Sequence, residues 1–326
     1  MNATAKDPML ELINKVSIVR LYSIGILFVF GIAFNIVCIF IFLKLESKIS
    51  LNIVHLTGLS ISNIVKLGSE FIFPFIELFH PSVLNNFLCQ SRNWFKFTSG
   101  EMCSWIIIFI SIERIYILKN KMPTVQDGKH IKSLLAICAS LSLFGVINSS
   151  LYATQMLVAV KDKQTNKTKC SYQLRGISSP IYSSGVFNYT YLWTLYGVFY
   201  SLLPFFILIA TNLLIFRILK RMKKSKMNAK KLREANENAR ILLLLSFFFI
   251  VSSLPTQLTN IFNDVFYYSK AALNNISIAY YVLITFECVN NCFNIFIFVV
   301  INNKLRTQFV LYFLGCFSYK KYINAN

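Results

Sequence analysis

The chain has 326 residues, 56% of them hydrophobic and only 14% charged, with a mean hydropathy of +0.57. A soluble domain needs a charged surface, so this balance excludes one and points to an all-α protein that crosses a membrane several times. The formal net charge of +20 does not mark a nucleic-acid binder. Its basic residues fall mostly in short segments between apolar runs, where positive charge fixes membrane orientation.

The first twenty residues are polar and carry Lys6, Asp7, Glu11, Lys15 and Arg20. They lack an apolar core ahead of a small-residue cleavage site, so no cleavable signal peptide is expected, and the first apolar run serves as signal and anchor together. Seven long apolar runs follow, at 21–43, 53–78, 87–118, 133–157, 192–219, 240–267 and 276–301. Each matches a hydrocarbon core of about 30 Å. The expected organisation is an extracellular N-terminus over 1–20, a seven-transmembrane domain over 21–301, and a short cytoplasmic tail over 302–326. Connections are short except 158–191.

The third run is the most telling. It opens at Cys89 and ends on Glu113-Arg114; as a helix, the steps between Cys89 and Arg114 cover roughly 37 Å. That length sets a cysteine at one membrane face and a carboxylate beside a guanidinium at the other.

Direction follows from Lys and Arg. Segments after the odd-numbered runs carry Lys44 and Lys48, then Lys119, Lys121, Lys129 and Lys132, then a dense cluster from Lys220 to Arg240, and finally Lys304, Arg306, Lys320 and Lys321. The other side has fewer, most of them in the long loop, which the positive-inside rule discounts. The N-terminus is therefore expected outside. Candidate glycosylation sequons at Asn2, Asn166 and Asn188 lie on that outer side, as does Asn275 at a helix end, while Asn148 lies in the outer half of the fourth run.

Several runs hold residues that lipid cannot satisfy, among them Asn35, Asn63, Lys66, Glu70, Pro204, Pro255, Glu287, Asn290, Asn291 and Asn294. Such residues must face a bundle interior. Eight scattered cysteines without C-x-x-C spacing and three scattered histidines give no metal site, no cofactor and no catalytic group, so no enzyme is expected.

With seven spans and an outer N-terminus, the residues can be set beside known receptors. Gly31-Ile-Ala-Phe-Asn35, Leu59-Ser-Ile-Ser-Asn63, Cys89, Ser111-Ile-Glu113-Arg114-Ile115-Tyr116, Pro204, Phe249-Ile-Val-Ser-Ser-Leu-Pro255 and Asn290-Asn-Cys-Phe-Asn294-Ile-Phe-Ile-Phe298 occur in order. The series resembles the rhodopsin-like (class A) G-protein-coupled receptors across almost the whole chain. Asn303-Lys-Leu-Arg306-Thr-Gln-Phe309 is similar to that family's amphipathic eighth helix. The resemblance implies a plasma-membrane receptor that couples an extracellular ligand to a heterotrimeric G protein. Departures stand beside the matches: Asn63 for the usual Asp, Ser253 for Trp, Ile295 for Pro, and Phe298 and Asn212 for two tyrosines. This divergence looks like an invertebrate peptide-type or chemosensory receptor.

The resemblance also implies roles. Cys89 and Cys170 would form a disulfide pinning the long loop over the bundle mouth, the alternative being two free thiols. Glu113 would hold Arg114 at rest, with Tyr116, Pro255, Asn294 and Phe298 serving coupling and switching. Asn35, Asn63, Asn290 and Asn291 would form an inner polar network. Cys316 is a candidate palmitoylation site or an unmodified interfacial cysteine. Lys66, Glu70, Lys96, Glu101 and Glu287 would line a ligand pocket, unless Lys66, Lys96, Glu70 and Glu287 simply neutralise one another. Lys96 stands where relatives place an amine-binding Asp and Cys288 where opsins carry the retinal lysine, so a peptide is favoured over an amine or retinal. Two other readings stay open: a receptor-like protein that does not signal, and a channel or transporter using the buried Lys and Glu residues, although no inverted repeat supports a transporter.

Overall fold

Backbone amides in lipid find partners only within their own segment, so long runs of Leu, Ile, Phe and Val fold as helices. The computed structural model describes residues 8–44, 53–120, 135, 137–146, 155–161, 168–174, 202–224, 229–265, 270–301, 306–307 and 310. Among these residues are seven long or apolar helices. They are α1 (Pro8–Lys44), α2 (Ile53–Phe79), α3 (Asn86–Asn120), α4 (Ile137–Val146), α5 (Leu203–Lys224), α6 (Ala229–Val265) and α7 (Lys270–Ile301).

The helices close into a ring. α1 packs on α2 and α7, α2 on α3, α3 on α5, α5 on α6, and α6 on α7. α4 docks on the outside of α2 and α3, where Trp94 donates its indole N–H to the Gly145 carbonyl at 3.2 Å and the Trp105 and Phe144 rings lie 5.7 Å apart. The main apolar core runs through Phe42, Leu56, Leu59, Ile106, Ile107, Leu208, Leu242 and Phe249. A second cluster of Ile24, Leu67, Ile284, Cys288 and Cys292 joins α1, α2 and α7. Large apolar side chains also cover the outside: Val29 is 65% exposed, whereas Lys66 on α2 is 2% exposed. Polarity inside and hydrocarbon outside is the pattern lipid requires.

One expectation needs correction. The fourth run does not stay helical to residue 157, because Gln155–Lys161 is a strand, β1, paired antiparallel with β2 (Thr168–Leu174). Val158 and Val160 are β-branched, and an apolar stretch that short does not distinguish strand from helix. α1 already begins at Pro8 and buries Arg20, so the first helix reaches into the segment 1–20. The long loop therefore adds a small hairpin to an otherwise helical fold. Asn2, Asn148, Asn166, Asn188 and Cys316 lie outside the described residues. Of the segment 302–326, only Arg306, Thr307 and Val310 are described, each helical.

Close approach at Gly31 sets the spacing of three helices. A Cβ there would stand 2.5 Å from Leu67 Cδ1 and 2.7 Å from Cys292 Sγ, both on fully buried residues. Gly68 differs, for its nearest neighbours are 3.8 Å from the same construction. Gly31→Val is expected to destabilise the bundle by about 1–3 kcal/mol through overpacking. Gly68→Ala should be neutral or stabilising by up to about 1 kcal/mol through helix propensity. Thermal unfolding of the two purified variants in lipid nanodiscs measures both, and a Gly31→Val protein melting with the wild type would refute the close-packing account.

Candidate functional site

Polar residues gather at three depths along the bundle. At the end carrying Cys89, the disulfide Cys89–Cys170 joins the start of α3 to β2 across 81 residues of sequence. Two further bonds hold the hairpin. Asn86 Oδ1 accepts the Ala159 N–H at 2.9 Å, and Glu77 Oε1 accepts the Cys170 N–H at 3.2 Å. The second oxygen of Glu77 takes the Arg92 guanidinium at 2.8 Å, so one carboxylate fastens α2, α3 and β2 together.

Just beneath lies a cluster of buried charge. Lys66 and Glu70 stand one turn apart on α2, which puts them on one face; their charged atoms are 3.9 Å apart. Glu287 on α7 approaches the Lys66 ammonium at 3.6 Å, and Lys96 on α3 approaches Glu70 at 3.0 Å. Lys96 also donates to the Tyr280 hydroxyl at 2.6 Å. Two ammonium groups and two carboxylates therefore meet where the three helices converge. Glu101 lies about 140° around α3 from Lys96 and is itself buried.

Beside this cluster, between α1, α2, α3 and α7, opens a cavity of about 440 Å³. Lys96 lines it, together with Arg20, Arg92, Glu77, Tyr280 and Tyr281. Of the five residues expected in a ligand pocket, only Lys96 lines this space; Lys66, Glu70 and Glu287 sit behind it and reach charge balance only with Lys96. Arg20, Arg92 and the two tyrosines escaped the sequence reading. Arg20 was hidden by its place in a polar N-terminal stretch, and the tyrosines by their abundance.

Deeper, Asn35 Nδ2 donates to the Gly31 carbonyl at 2.7 Å and to the Asn291 carbonyl at 3.2 Å, and Asn63 Nδ2 donates to Asn35 Oδ1 at 3.3 Å. Cys103 Sγ closes the chain by donating to Asn63 Oδ1 at 3.3 Å. The expected network thus exists in part. Asn291 joins through its backbone, and the Asn290 amide finds no hydrogen-bond partner among the described residues. Neighbouring helical residues point about 100° apart, so one site cannot use both amides.

At the far end of α3, Arg114 is 6% exposed and Glu113 partly exposed. The carboxylate does not clasp its neighbour. Adjacent helical residues do not face each other, and Glu113 Oε2 instead stands 3.7 Å from His55 Nδ1 on α2. Tyr116 is exposed. On α6, Pro255 interrupts the helix ladder, and hydroxyls around it bind backbone carbonyls. Thr256 donates to Ser252 at 3.3 Å and Thr259 to Pro255 at 2.7 Å. The side chains of Asn294 and Phe298 lie outside the described residues.

Removing one member of a buried ion cluster strands its partners, at a typical cost of about 3–5 kcal/mol. Lys66→Met should therefore lower the melting temperature sharply, and the double variant Lys66→Met/Glu287→Gln should recover much of the loss. A double-variant cycle by thermal unfolding reads the coupling; a double variant no more stable than the single one would sink the assignment.

No curated protein matches the chain. Residues 34–298 match the family model described as the 7 transmembrane receptor (rhodopsin family). That stretch covers most of the chain and takes in the Asn35 network, the buried charges and the Glu113-Arg114 pair. The chain belongs to the rhodopsin family of seven-transmembrane receptors.

Proposed function

We propose that this receptor sits in the plasma membrane with its N-terminus outside and couples an extracellular ligand to guanine-nucleotide exchange on a heterotrimeric G protein. The family is one of receptors rather than enzymes. The observation that carries the coupling is Arg114, a guanidinium buried at the end of α3 opposite Cys89. A buried cation that no carboxylate among the described residues clasps is a group open to acceptors, such as the terminal carbonyls of an inserted helix. Pro255 supplies the hinge, because the missing N–H lets the inner half of α6 swing away from α3. Basic residues between Lys220 and Arg240 favour an acidic partner surface or anionic lipid on the same side. The outer half of the bundle, with its charged and aromatic lining, suits a peptide better than an amine.

One observation favours a silent receptor instead. Ser253, where relatives carry a tryptophan, is buried with its hydroxyl lacking a hydrogen-bond partner among the described residues. The two readings differ in one measurement. In cells expressing the receptor with a broadly coupling G-protein α-subunit, nucleotide exchange should exceed that of untransfected cells. Arg114→Ala should return it to background while surface expression holds. Equal exchange from wild type and variant would remove Arg114 from coupling, and background exchange from both across peptide and metabolite libraries would favour the silent reading.

A further inference from the structure

The cavity beside the charge cluster is not electrically balanced. Glu77 spends its carboxylate on Arg92 and on the Cys170 N–H. Lys96 is engaged by Glu70 and Tyr280. Arg20 is different. Its side chain reaches the cavity from α1, the residue is 8% exposed, and its Nε has no hydrogen-bond partner among the described residues. The Tyr281 ring lies under the guanidinium, 4.9 Å from centroid to Cζ, which holds the plane by cation–π contact without satisfying the Nε–H. Among the lining residues, three cations face one carboxylate; with Arg92 paired to Glu77 and Lys96 to Glu70 behind the wall, the surplus is the single charge of Arg20.

We infer that this cavity receives a ligand bearing a carboxylate, docked on Arg20. A guanidinium is planar and presents paired N–H donors that match the two oxygens of a carboxylate, a geometry an ammonium does not offer. Burial strengthens the interaction, and the surplus positive charge of the lining opposes amines and favours acids. Tyr280, Leu21 and Leu78 offer surface to an aromatic or aliphatic body attached to that acid. At about 440 Å³ the space holds a residue-sized group, so the carboxylate belongs either to a peptide C-terminus or to a small organic acid. The inference rests on the receptor reading only in taking this end of the bundle as the ligand entrance.

The test uses full-length receptor in lipid nanodiscs, titrated with benzoate, phenylacetate, hexanoate and N-acetylphenylalanine, each against its primary amide. Carboxylates should raise the melting temperature saturably, with amides needing at least about tenfold more, as expected for loss of a charge-assisted hydrogen bond. Arg20→Gln should raise the half-saturating acid concentration by a similar factor, and Arg20→Lys by less. Should Arg20→Gln not fold, the acid–amide comparison on the wild type decides alone. Equal responses to acid and amide, an unchanged response in Arg20→Gln, or no saturable response to any of the acids would overturn the inference. The tripeptide Ala-Ala-Phe, free or amidated, separates the sources: binding tighter than N-acetylphenylalanine assigns a peptide terminus, weaker binding a small acid, and both uphold the carboxylate. Acid binding without nucleotide exchange counts against the receptor reading alone, and exchange without acid binding counts against this inference alone.

Discussion

Lys66, Glu70, Lys96 and Glu287 meet where α2, α3 and α7 converge, and the outer half of the bundle is arranged around that meeting. In water these four groups would be solvated separately and would contribute little to one another. Here each charge depends on its neighbours, because the surrounding medium supplies neither hydrogen bonds nor a high dielectric. The dependence fixes geometry. α3 cannot rotate without taking Lys96 from Glu70, and α7 cannot slide without taking Glu287 from Lys66. An ion cluster of this kind is weak evidence for stability as such. Its contribution is to register three helices against each other and to hold the wall of the adjoining cavity in place.

Packing and polarity divide the labour along α1. Gly31 lets α1 approach Leu67 and Cys292, and the Asn35 amide then spans to the backbone of α7. Van der Waals contact between closely approached helices replaces the hydrophobic effect, which lipid removes as a force between them. Further toward the N-terminus, the same helix presents Arg20 to the cavity. The distance between the Gly31 contact and Arg20 is about three helical turns, so the position of one follows from the other.

Much of this was legible in the residues, and the exceptions have physical causes. Long apolar runs located the spans, since 20 or so such residues suffice to cross a bilayer. The i, i+4 spacing of Lys66 and Glu70 announced a shared face. The convergence of Glu287 and Lys96 on that face was foreseen as mutual neutralisation, one of two alternatives left open. Arg20 was not legible, because hydropathy places a span boundary where the apolar run begins, whereas the helix continues outward as long as its backbone bonds are satisfied. His55 gave no signal either, being one of three histidines with no neighbour in sequence to suggest Glu113 as its partner. Asn291 enters the network through its backbone carbonyl, which no side-chain pattern announces. The hairpin escaped for a related reason, its first strand continuing an apolar run.

Glu77 gives the outer face one mechanical property that neither the disulfide nor the cavity has alone. Its two oxygens serve different masters, one the hairpin backbone at Cys170 and the other the cavity wall at Arg92. A tug on either is felt by the other through a single rigid carboxylate. The strand is thus held at Cys170 twice over, covalently to α3 and by the same carboxylate that binds the cavity wall, so roof and wall share a fastening.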